Sequence, residues 1–140
     1  MTFEDLPRDI ALRPLDNPRL IADVLDLCIP FPDREAGAIG VLLCDGEDRL
    51  AQPMVIAEIG HPSPEDRLLL LHNIFEFARQ LFPYGSVLLG VAREDGLSLT
   101  PDDELWARSA VSASDGYRIL GVHVVTMHGS REIPRTAAAA

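Results

Sequence analysis

Two uninterrupted apolar runs, Ala38-Ile-Gly-Val-Leu-Leu-Cys44 and Ser86-Val-Leu-Leu-Gly-Val-Ala92, stand out from a mixed pattern of apolar and polar positions. Runs of this length with no polar break are expected of strands covered on both faces. After the first, Asp45-Gly46-Glu47-Asp48 is a turn signal, and a second strand is expected from about Leu50 to Ile59. Pro53 within it cannot donate to a ladder, which places that strand at an edge or a bulge. Three helices are marked by period and by cap. Asn17-Pro18 opens one running to about Cys28, with Leu20, Ile21, Val24, Leu25 and Cys28 on one face. Ser63-Pro64-Glu65-Asp66 opens a second that reaches about Phe82 and is apolar around most of its circumference, so it belongs between layers or under a partner. Thr100-Pro101-Asp102-Asp103 opens a third, whose face Trp106, Ala110, Ala113, Tyr117 and Leu120 continues until Gly121. Val122 to Met127 is the last expected strand.

Between these elements, Pro30, Pro32 and Gly37 mark a loop, and Pro83 and Gly85 stop the second helix. Residues 1–15, with two prolines and scattered charges, are expected to form an extended arm. Residues 16–129 form one domain, and residues 130–140, ending in four alanines, a flexible tail. The order helix, hairpin, helix, strand, helix, strand implies right-handed crossovers and parallel neighbours. The expected class is therefore α/β, a mixed sheet with an N-terminal hairpin and helices packed on its faces.

Charge narrows the function. The formal net charge of −10 argues against nucleic acid, whose phosphates need clustered cations, and all twelve basic residues are arginine. No basic-then-apolar leader and no membrane-length apolar run is visible, so a soluble cytoplasmic protein with no membrane partner is expected. Cys28 and Cys44 sit in apolar surroundings without metal-ligand spacing and read as buried thiols. Gly-x-Ser-x-Gly, Gly-x-Gly-x-x-Gly and Walker patterns are all missing.

Three stretches carry a resemblance. Val41-Leu-Leu-Cys-Asp-Gly-Glu-Asp-Arg-Leu50 is an apolar strand ending in an acidic turn and an Arg–Leu step. Ser63 to Phe82 with Ser86–Ala92 is a helix followed by a buried strand. Thr100-Pro101-Asp102-Asp103 through Arg118-Ile-Leu-Gly-Val-His-Val-Val125 is a capped helix with its return strand. In this order they resemble the RadC branch of the JAB/MPN metalloprotease family, which implies a cytidine deaminase-like architecture. That family binds zinc through His-x-His, seven residues, then Ser-x-x-Asp, with a separate glutamate acting on the bound water. Carried onto this chain, the histidine positions fall on Gly90 and Ala92, the serine position on Thr100 and the aspartate on Asp103; Glu58 matches the glutamate. Neither Gly90 nor Ala92 can bind a metal, and Thr100 with Asp103 also reads as a helix cap. The four histidines, His61, His72, His123 and His128, offer no His-x-His or His-x-x-x-His pair. No metal and no cofactor is therefore expected. The resemblance implies a catalytically inactive domain that binds a protein partner or itself. The alternative is a hydrolase or small-ligand-binding protein that uses the vacated cleft, with Arg93 and Thr126 as candidate ligand contacts.

Overall fold

A computed structural model describes residues 13–134. Helix α1 (Pro18–Cys28) and a short α2 (Phe31–Ala36) precede the hairpin β1 (Ala38–Cys44) and β2 (Leu50–Ala57). Then come α3 (Pro64–Leu81), β3 (Ser86–Ala92), α4 (Pro101–Ser114), β4 (Arg118–Thr126) and β5 (Gly129–Glu132). The strands form one sheet in the order β2-β1-β3-β4-β5. β1 runs antiparallel to both neighbours, β3 and β4 are parallel, and β5 returns antiparallel to β4. The fold is thus a mixed five-stranded sheet between helical layers. Pro53 does lie in an edge strand, opposite Leu42.

Both long apolar runs became central strands, and every residue of β1 and β3 is buried. Their alternate side chains feed two cores. Ile39, Val41, Leu43, Val87, Leu89 and Val91 pack beneath α3 and α4, around Phe75 and Trp106. Leu42, Cys44, Leu88, Ala92 and Val125 face the other way, onto Leu20, Val24 and Leu25 of α1 and onto Ile29. The caps formed where the sequence marks them. Asn17 Oδ1 accepts from the Arg19 and Leu20 amides, and Ser63 Oγ from the Asp66 amide.

Four expectations are corrected. The loop after α1 contains helix α2, which is held by Arg34. This side chain is 1% exposed and donates to the carbonyls of Ile29, Thr126 and Asp26 and to the Asp26 carboxylate. β2 stops at Ala57 rather than Ile59, because Glu58 turns left-handed at φ 57°. Helix α4 ends at Ser114, not Gly121: Asp115 and Gly116 take φ values of 48° and 86°, which breaks the helix. Tyr117 still reaches the same core, edge-on to Phe75, with its hydroxyl donating to the Phe82 carbonyl at 2.8 Å, and so it imitates the next helical position. Finally, the expected tail from Ser130 begins as strand: Ser130 to Glu132 pair with β4, and the fully buried Ile133 donates its amide to the Val122 carbonyl. Residues 135–140 lie outside the described residues. So does the expected arm up to residue 12, although its end docks: Pro14 bridges Arg49, and Leu15 is buried in the α1-side core.

Candidate functional site

Asp103 and Arg93 meet at the start of α4. Thr100 and Asp103 form a capping box: Thr100 Oγ1 accepts from the Asp103 amide at 3.1 Å, and Asp103 Oδ2 accepts from the Thr100 amide at 2.9 Å. The carboxylate, fully buried, then accepts a bidentate pair from Arg93, Nε to Oδ1 at 2.9 Å and Nη2 to Oδ2 at 2.8 Å. Arg93 spends its remaining N–H groups on the loop it anchors. Nη1 donates to the Glu94 and Gly96 carbonyls and Nη2 to the Ser98 carbonyl. A guanidinium has five N–H donors, and all five are engaged within the protein. Burial pushes the Asp103 carboxyl up, but the bonds from Arg93 and Thr100 outweigh it and hold the group below the usual carboxylate range. The hydrogen bond to Asp103 in turn raises the Arg93 guanidinium above its ordinary value.

Gly90 and Ala92 do not join them. Strand alternation sends Val91 and Arg93 toward α4, and Gly90 and Ala92 toward α1. A Cβ built on Gly90 would lie 2.7 Å from Ile29 Cδ1, 3.2 Å from Leu25 Cδ2 and 3.3 Å from Val125 Cγ2. Gly40, its partner across the β1–β3 ladder, is covered in the same way, its Cβ falling 2.5 Å from Ile29 Cδ1. The two glycines make a floor on which the Ile29 side chain rests. The position is filled, not vacated. A zinc site fits these residues poorly: Asp103 gives its oxygens to Arg93 and Thr100, and Gly90 and Ala92 offer no ligand atom. Among the described residues, no three His, Cys, Asp or Glu side chains are grouped to hold a metal ion.

A cleft of about 460 Å³ does open at the end of β3. Val91, Ala92, Trp106 and the expected cleft residue Arg93 line it together with Ile59, Gly60 and His61, and Glu35, Glu94, Asp95 and Asp102 give it carboxylates. Arg67, itself buried, lies with its guanidinium carbon 4.8 Å from the Trp106 ring centroid and bonds Asp102 at 2.7 Å. Glu58 is exposed just outside the residues that line the cleft. Thr126 does not line it: buried at the end of β4, its hydroxyl accepts from the His128 amide and its carbonyl from Arg34. His123 is buried within β4, and His128 is exposed in the turn to β5. Neither cysteine is poised as a nucleophile. Burial pushes the Cys28 thiol up to about 11 and the Cys44 thiol to about 12.

The Arg93–Asp103 pair and the Arg34 clamp were not read from the sequence. An arginine ten residues before its acid, or in a Pro-Asp-Arg-Glu turn, looks like any surface charge. The one available signal was that Arg93 follows a buried strand on the α4-facing phase. The fold and site together define a three-layer α/β/α domain whose carboxylate at the α4 cap is locked by an arginine. Compared with protein-family models, curated proteins and solved structures, the chain matches none.

Proposed function

We propose that this chain is a non-catalytic relative of the JAB/MPN fold in its RadC form, and that it works by binding a protein partner. The observation that carries this reading is the complete engagement of Arg93 and Asp103 with each other and with their loop. A carboxylate held by three hydrogen bonds from the protein has little reason to accept a metal, and an arginine without a spare donor cannot hold a substrate anion. The element order, with an antiparallel hairpin ahead of a parallel β3–β4 pair, supports the architectural kinship. Large apolar side chains left in solvent on α3 support the binding role: Leu68, Leu69, Phe77 and Leu81 are each 40–58% exposed. The acidic surface argues against nucleic acid as the partner. Among the described residues, no helix is long and apolar enough to cross a membrane.

Zinc titration followed by calorimetry, with peptide hydrolysis measured on the same sample, tests the reading. The expected result is no zinc uptake at micromolar concentration and no hydrolysis above the metal-free control. One zinc bound per chain with hydrolysis abolished in Asp103→Asn would overturn it and favour an enzyme.

A further inference from the structure

Three of the four large exposed apolar residues of α3, Leu69, Phe77 and Leu81, lie on one line, with Leu68 beside it. Glu65, Leu69, Asn73, Phe77 and Leu81 follow one another at four-residue steps, so they form a single oblique ridge on the outer side of the helix. From Leu69 to Leu81 the ridge is about 18 Å long at 1.5 Å per residue. All five positions are exposed, while the buried face of α3 is carried by Leu71, Ile74, Phe75 and Ala78. Ridges of this kind are the surfaces that helices pack into one another's grooves.

The charge on α3 that is left without an ion pair is acidic. The ridge's N-terminal end carries Glu65 and Asp66, both exposed and without an ion pair among the described residues, and Glu76 flanks its middle. No arginine of α3 faces outward here. Arg67 is buried against Trp106, and Arg79 is drawn to Glu76 and to the Ser114 and Asp115 carbonyls. A second copy would bring the same acids and a further net charge of −10 to the contact. A partner helix with apolar residues at four-residue spacing and Lys or Arg at its edges answers both features. The apolar ridge takes the first and the acidic rim the second.

We propose that the outer ridge of α3 is a docking surface for a basic amphipathic helix of another protein. The proposal rests on the reading of the chain as an interaction module and names its surface and the chemistry of its partner. The probe is a synthetic 18-residue helix with leucine on one face and lysine on the other, set against a twin carrying glutamate for lysine. Binding to the full chain is followed by fluorescence anisotropy, and the mass of the chain alone by light scattering. The lysine peptide is expected to bind at least tenfold more tightly than its twin. Raising the salt from 50 to 500 mM should weaken it at least tenfold. Phe77→Ser should cost a further tenfold or more. Glu65→Gln with Asp66→Asn, which leaves the apolar ridge intact, should flatten the salt dependence. Equal binding of the two peptides, binding indifferent to both sets of substitutions, or no binding at all would each overturn the proposal. So would a micromolar dimer that Phe77→Ser dissolves, since the occupant would then be a second copy. None of these outcomes bears on the metal-free reading, which the zinc titration decides separately.

Discussion

Replacing Arg93 with methionine is expected to destabilise the fold by about 3 kcal/mol, because it leaves a fully buried carboxylate without its cation. For a chain of this size, that is a fall in Tm on the order of 10 °C. Lysine at the same position should recover only part of the loss, since a point charge cannot supply the bidentate bond to Asp103 and the three bonds to loop carbonyls at once. Removing both partners, Arg93→Met with Asp103→Asn, should cost less than the sum of the single changes, and urea unfolding of the four proteins measures that coupling. The pH dependence carries a second signature. With Asp103 held low in the folded protein and near 3.9 when unfolded, the pair's contribution is present above about pH 4 and lost as pH falls through the folded value. In Arg93→Met the lowering by the cation is lost and burial, the largest influence on this carboxyl, is opposed by Thr100 alone, so the folded carboxyl is expected to rise. Its penalty then applies at neutral pH and disappears on acidification. The gap in stability between the two proteins should therefore close as pH is lowered from 7 toward 4. A gap that stays constant would mean that Arg93 acts through the loop alone.

Introducing histidine at Gly90 should damage the protein and fail to create a metal site. Even the single Cβ of Gly90→Ala meets Ile29 at 2.7 Å in a strand paired on both sides, and overpacking of this kind costs about 1–3 kcal/mol. An imidazole there needs Ile29 and Leu25 to leave, so Gly90→His with Ala92→His is expected to be largely unfolded at 37 °C by circular dichroism and to take up no zinc. Trimming the obstacle separates sterics from other causes. Ile29→Ala with Gly90→Ala should cost less than the sum of the two single changes, because the added methyl fills part of a cavity that in Ile29→Ala alone costs about 2–5 kcal/mol. A folded double-histidine protein that binds zinc with Asp103 would show that the register of β3 had been misread by one residue, which exchanges its two faces.

Much of this architecture was legible because it is dictated locally. Apolar runs of seven residues bounded by turn signals are too short for a buried helix and read as covered strands, and a cap followed by proline and acids marks a helix start. What misled were coincidences of phase. Tyr117 and Leu120 fall on the α4 spacing although the chain has already turned at Asp115 and Gly116, and a pattern of apolar positions carries no record of the backbone between them. β5 is Gly-Ser-Arg-Glu, which has no apolar alternation, and it is placed by its ladder with β4 and by the buried Ile133 that follows. For the site, residue identity excluded metal ligands at Gly90 and Ala92. The direction in which those positions face, and the closure of Arg93 on Asp103, are set by strand register and by a loop, and neither shows in composition or spacing.

The clamps described above have one more consequence. Arg34 ties α2 to β4, Arg93 ties the end of β3 to α4, Arg67 and Arg79 tie α3 to α4 and the turn that follows it, and the chain contains no lysine. Guanidinium is the most strongly basic group a protein side chain offers, whereas the lysine ammonium is lost in alkali. The alkaline limit of the fold is set instead by groups that are neutral inside it. Cys28 and Cys44 hold their protons to about 11 and 12, and burial raises the Tyr117 phenol as well. The unfolded chain gives up its thiol protons first, from about pH 8.5, so the folded state loses ground from there upward. In a protein clamped by arginines, two buried sulfur atoms mark where alkali begins to take it apart.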